Sequence, residues 1–119
     1  MPLKFKDSLA YKQAELLMQP AFIRVVDNIR KETELSNWES SYEEISEPFP
    51  GYLLYLKKEK TTLKINLWDL CFQACFVNYE PHQDEPVEID LNLFNEKGEL
   101  DWYNLETKAK KIVKNIFNN

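Results

Sequence analysis

Apolar positions recur with helical spacing over the first third of the chain. Leu9, Gln13, Leu16 and Leu17 fall close to one face, and Phe22, Ile23, Val26, Ile29 and Thr33 form a narrow stripe further on. Asp7 or Ser8 offers the N-cap, and Asp27 can pair with Arg30 or Lys31 on the wet side. Pro20 lacks an amide hydrogen and disfavours helical geometry at Gln19. The segment is therefore expected to kink there, or to stop and restart with Pro20 in the first turn of a second helix.

From Ser36 to Pro50 the pattern dissolves. Trp38, Tyr42 and Phe49 stand among Glu39, Glu43, Glu44 and Glu47, a mixture that fits an ordered loop or a short edge strand. After the break at Pro48-Phe49-Pro50-Gly51, Tyr52 to Leu56 is apolar on both faces and Lys57 to Thr61 is polar enough to turn the chain. Thr62 to Trp68 then alternates, with Leu63, Ile65 and Leu67 on one side, which predicts a β-hairpin. Val87 to Leu91 alternates again and predicts a third strand, and Asn95 to Gly98 predicts a turn. At the end of the chain Leu105, Ala109, Ile112, Val113, Ile116 and Phe117 define a helix. Asp101 or Asn104 can cap it, Glu106 can pair with Lys110, and Lys108, Lys110, Lys111 and Lys114 face out.

Two periods compete between Trp68 and Tyr79. In a helix, Trp68, Cys71, Phe72, Cys75, Phe76 and Tyr79 share one face and Asp69 supplies an N-cap. A strand continuing from Thr62 would reach about 60 Å, implausibly long without a break, so helix fits better and an extension of the sheet is the alternative. The elements together predict an α+β fold. It comprises an antiparallel sheet of about three to four strands, an N-terminal helix or kinked helix pair, and a C-terminal helix packed against the sheet. A chain of 119 residues is the size of one domain, taken as 1–119.

Composition narrows the function classes. With 44% hydrophobic and 29% charged residues the chain is ordinary globular material, and its longest apolar runs fall far short of the ~18 residues of a membrane span. Met1 to Asp7 has no following apolar block or cleavage site, so a cytoplasmic location is expected. A net charge of −5 argues against nucleic acid as a partner. Two glycines, Gly51 and Gly98, cannot build a phosphate-cradling loop, so no nucleotide cofactor is expected.

Both cysteines and the sole histidine fall in the stretch Trp68 to His82. Cys71, Cys75 and His82, joined by Asp84, have the ligand types of a zinc site, and a cysteine with His82 as base has the parts of a small hydrolase. Against both, the spacing lacks a second Cys/His pair, and Leu70, Phe72 and Phe76 favour a neutral, buried thiol. The carboxylates from Glu80 to Asp90 show no calcium-loop spacing and read as a solvated rim. Aromatic residues make up 13% of the chain and favour contact surfaces. The function expected is a non-catalytic protein-interaction or accessory domain, using Trp38, Tyr52, Tyr55, Trp68 and Trp102, with a protein partner or a second copy of itself. A small Cys/His metal-binding protein or hydrolase using Cys71, Cys75 and His82 is the alternative. Because Tyr52, Leu54 and Leu56 lie on one face of the first strand and Leu53 and Tyr55 on the other, either helices cover both faces or a second subunit covers one.

Overall fold

A computed structural model describes residues 3–47 and 49–118. In chain order it contains α1 (Ser8–Leu35), β1 (Glu39–Ile45), β2 (Gly51–Lys58), β3 (Thr61–Asn66), α2 (Leu67–Cys75) and α3 (Trp102–Phe117), with a 3-10 turn at Leu91–Leu93. The fold is α+β. A three-stranded antiparallel sheet in the order β1-β2-β3 follows the N-terminal helix, and the C-terminal helix packs against it. Pro48, part of the break predicted after β1, lies outside the described residues, as do Met1 and Pro2. No helix among the described residues is long and apolar enough to cross a membrane.

Every helix begins on an aspartate or asparagine whose side chain accepts from a backbone N–H of the first turn. Asp7 accepts from Ala10, Asn66 from Trp68, Asp90 from Asn92 at the 3-10 turn, and Asp101 from Asn104. In α2 this role belongs to Asn66 and not to the predicted Asp69.

α1 runs unbroken through Pro20, so the kink or restart at this position gives way to one helix. Proline removes only the bond that residue 20 would donate to the Leu16 carbonyl. Leu16 is exposed, so water can reach that end of the helix surface. The buried stripe is Ala14, Leu17, Ala21, Val25, Asn28 and Ile29. Leu9 and Leu16, expected on the core side, are 63% and 58% exposed, and Ile23 also points out. Ala14 and Ala21, with Ala74 on α2 and Ala109 on α3, are all buried. Small side chains at such positions let helices approach closely, which selects this face over the bulkier one.

The sheet shows the largest departure from the predicted strands. Its third strand is β1, paired with β2 from Glu39↔Lys57 to Ile45↔Gly51. Val87 to Leu91 is not a ladder strand. Val87 makes a single parallel bridge to Phe5, and Ile89 a single antiparallel bridge to Phe76. Both side chains are buried between the N-terminal segment and the end of α2, which accounts for their alternation without a sheet.

Leu54 and Leu56 of β2 face inward with Ile65 and Leu63 of β3 opposite them. They meet Val25, Ile29, Leu70, Ala109, Val113 and Phe117 in one cluster. The outer face carries Leu53 and Tyr55 between Glu43, Ser41, Asn66 and Lys64 of the flanking strands. Both are only part-exposed, so the sheet's own polar neighbours shield them. Covering both faces of β2 therefore does not demand a second subunit.

A second cluster joins the front half of α1 to Phe72 and Cys75 of α2, to Phe76 just past its end, and to Val87, Ile89, Leu93 and Leu105. α2 contributes to both clusters. Lys108, predicted to face water, instead reaches in to donate to the Asp90 carboxylate at 2.8 Å and to the Phe76 carbonyl, just past the end of α2, at 3.2 Å. Glu106 likewise turns inward to Asn28 and Arg24 and not to Lys110.

Asp90 is nearly enclosed, so removing its cation strands a charge. Lys108→Met is expected to lower unfolding free energy by about 2–3 kcal/mol, below the roughly 3–5 kcal/mol of fully buried pairs because Lys108 keeps some solvent contact. Asp90→Asn on top of it should recover part of the loss. Urea denaturation of the two variants and the wild type measures both.

Candidate functional site

Phe72 and Trp68 are one helical turn apart on α2, and their rings stack 5.8 Å apart at 18°. From this pair an array of rings extends both ways. Phe72 meets Phe76 at 6.0 Å and Tyr79 at 5.2 Å, Phe76 meets Phe5 at 6.2 Å, and Phe5 meets Tyr11 at 5.4 Å. On the other side Trp68 meets Phe22 at 6.5 Å. Phe5 is carried there because the Val87 amide donates to the Lys4 carbonyl at 2.8 Å and the Asp90 amide to the Cys75 carbonyl at 3.0 Å. These bonds hold the N-terminal segment, residues 87–90 and the end of α2 together.

The Trp68 indole is fixed. Its Nε1–H donates to the Pro50 carbonyl at 2.9 Å. Its edge lies so close to the Gly51 backbone that a Cβ there would sit 2.6 Å from Nε1. Glycine is needed at position 51 for this approach, not for an unusual φ.

Two apolar recesses flank this one ring. The first, about 330 Å³, lies between Leu3, Phe5, Tyr11, Met18, Trp68 and Phe72. The second, about 320 Å³, lies between Phe22, Pro50, Gly51, Tyr52, Leu67 and Trp68. Among the described residues, Glu15 is the only charged one lining the first and Glu44 the only one lining the second. Tyr11 and Tyr52 mark the open sides, 53% and 41% exposed. Clefts of about 420 and 440 Å³ on another face of α2 are larger. Both contain Gln73, Ile112 and Asn115, and a lysine lines each, so they present mixed polar surface where the smaller recesses present ring faces.

Of the five residues expected at an interaction surface, Trp68 and Tyr52 meet here. Trp38 is enclosed, donating its Nε1–H to the Phe117 carbonyl at 3.0 Å beneath Lys58, and serves the core. Tyr55 lies on the outer sheet face within 3.5 Å of Glu43, and Trp102 is exposed under the Arg24 guanidinium. Sequence reasoning missed Phe5, Tyr11, Met18, Phe22 and Gly51. The i, i+4 spacing of Trp68, Phe72 and Phe76 was the available signal, but what packs on them comes from distant parts of the chain.

Cys71 and Cys75 are free and fully buried, with Cys75 Sγ 3.8 Å from Met18 Sδ. Burial pushes both thiols up to about 12, and at Cys75 the neighbouring Cys71 adds to the shift. His82 sits in an exposed loop at positive φ, a loop tied to itself by Glu80 and Glu85 backbone contacts with the Gln83 side chain. No group of three or more His, Cys, Asp or Glu side chains converges on a metal-sized point among the described residues. Burial and the adjacent Asp69 carboxylate, which accepts from the phenol at 2.7 Å, raise the Tyr79 hydroxyl as well. No protein-family model, curated protein or solved structure matches the chain.

Gly51→Ala is expected to force the indole off the Pro50 carbonyl at a cost of about 1–3 kcal/mol, the range for overpacked sites. A displaced Trp68 indole N–H resonance in ¹⁵N NMR, with a lower urea midpoint, would report it.

The thiols set a second expectation. Unfolded, they ionise near 9, whereas folded they hold their protons to about 12. The native state then binds more protons across that window, and stability falls as pH rises from about 9. Denaturation midpoints between pH 8 and 10.5 should slope less steeply in a Cys71→Ala/Cys75→Ala variant. A thiol reagent at pH 7.5 should label the wild type only after unfolding.

Proposed function

We propose that this protein is a non-catalytic interaction domain, and that its docking surface is the aromatic groove formed by the two recesses either side of Trp68. The observation that carries the reading is the immobilised indole. A large ring already fixed by a hydrogen bond and a glycine contact loses little entropy when something lies across it. Trp and Tyr beside apolar pockets are also the commonest energetic anchors of protein interfaces. The open tyrosines at the groove's margins and the apolar walls behind them supply area, and the adaptable Met18 thioether lets the first recess fit varied side chains.

Chemistry would require a different arrangement, with a nucleophile or a pair of titratable groups converging in a cleft. The thiols are instead held neutral in the core, which supports docking over catalysis.

The test uses the full chain as bait in native host lysate beside a Tyr11→Ala/Tyr52→Ala variant. Both tyrosines are well exposed, so circular dichroism of the variant should match the wild type. A protein retained by the wild type and lost from the variant is the expected result. Identical captures from the two baits would overturn the groove as docking surface.

A further inference from the structure

The charge around the two recesses identifies the chemistry of what they hold. Among the described residues each recess has one charged lining residue, and in both it is a glutamate, Glu15 in the first and Glu44 in the second, with no described lysine or arginine in either lining. Both carboxylates are exposed. Glu15 lines its recess with Tyr11 and Trp68, and Glu44 lines the other with Tyr52 and Trp68. Aromatic faces attract cations through their quadrupole, and a carboxylate next to them adds Coulombic attraction in a partly desolvated setting. An anionic side chain entering either recess would meet the opposite, a like charge beside the negative face of a ring.

We infer that the groove takes an extended peptide segment of a partner protein that carries a lysine or arginine among apolar residues, its aliphatic side chains filling the recesses and its cation lying between an aromatic face and Glu15 or Glu44. This inference rests on the docking role proposed above. A peptide suits the geometry better than a compact small molecule, because the space is divided by a fixed indole into two chambers of nearly equal volume, and a chain crossing the ring can place a side chain in each. A second copy of this chain is a poorer occupant. Leu3-Lys4-Phe5 and Leu63-Lys64-Ile65 do set a lysine among apolar residues, but those neighbours already pack against the chain's own two clusters. Lys57, Lys58 and Lys60 have only Glu59 among them, and the α3 lysines alternate with Leu105, Ala109, Val113 and Phe117, which are turned to its own core.

The probe is a phage-displayed library of random dodecapeptides, panned against the full chain, with hits synthesised and titrated by fluorescence polarisation. The targets are the wild type, Glu15→Gln/Glu44→Gln and Tyr11→Ala/Tyr52→Ala. Enriched peptides are expected to share a lysine or arginine flanked by apolar residues. Their affinity should fall about tenfold or more on the glutamine variant, fall as salt is raised, and vanish on the alanine variant. Peptides that lose affinity on the alanine variant but lack a cation, or bind the glutamine variant equally well, would overturn the cationic occupant and leave the docking role standing. No peptide whose binding depends on Tyr11 and Tyr52 would remove both. Self-association of the wild type, abolished by Tyr11→Ala/Tyr52→Ala, would replace the partner peptide with a second copy.

Discussion

α2 is nine residues long, too short to be stable alone in water, and its enclosure is the constraint on which the rest of the structure depends. Six of its residues are buried. One edge, with Leu67 and Leu70, belongs to the cluster under the sheet, and another, with Phe72, Ala74 and Cys75, to the cluster under the front of α1. Asn66 closes its first turn. At its end Lys108 donates to the Phe76 carbonyl, placing a cation where the helix dipole is negative. α1 and α3 also run through both clusters, so losing α2 would not separate them but would strip apolar partners from both at once, against an unchanged chain entropy of ordering the remaining elements.

The same enclosure decides what kind of site the protein has. Cysteines turned into a helix interface are closed off from solvent and keep their protons well above neutral pH, so the chemically reactive side chains are used as packing. The one large aromatic on the remaining edge, Trp68, is left at the surface and held there by Pro50 and Gly51. The groove is thus the part of the aromatic array on α2 that was left uncovered, while Gln73 marks the helix's other open edge.

Helices were the more legible part of the sequence because their signals are local. The α3 stripe and the aspartate and asparagine caps are written within a few residues. β1 was obscure for the opposite reason. Glu39–Ile45 is mostly polar and mostly exposed, and its strand character comes from hydrogen bonding to β2, a tertiary fact that intrinsic preference does not encode. Val87 to Leu91 shows the converse. Alternation reported correctly that Val87 and Ile89 are buried, but a period of two says which side is covered and not whether a ladder covers it. In α1 the periodicity was read through large residues, whereas the buried face is marked by alanines that ordinary hydrophobic patterning undervalues. For the site, the sequence showed that Trp68 and Phe72 share a face. It could not show that Phe5, from the chain's beginning, would be brought there by a single bridge to Val87.

Other apolar features reach the surface, and comparing two of them with the groove shows why concavity matters more than exposure. Leu9, Leu16 and Ile23 form a ridge at seven-residue spacing along the outside of α1, more exposed than Trp68, but three side chains on a convex helix offer a partner no recess to fill. Leu53 and Tyr55 lie on a nearly flat sheet face diluted by serine, asparagine and charges, which is how antiparallel sheets ordinarily meet water. Only at Trp68 do apolar area, concavity and a fixed ring coincide. Binding energy concentrates where a partner's side chain is desolvated on several sides at once, and neither the ridge nor the sheet face can surround one.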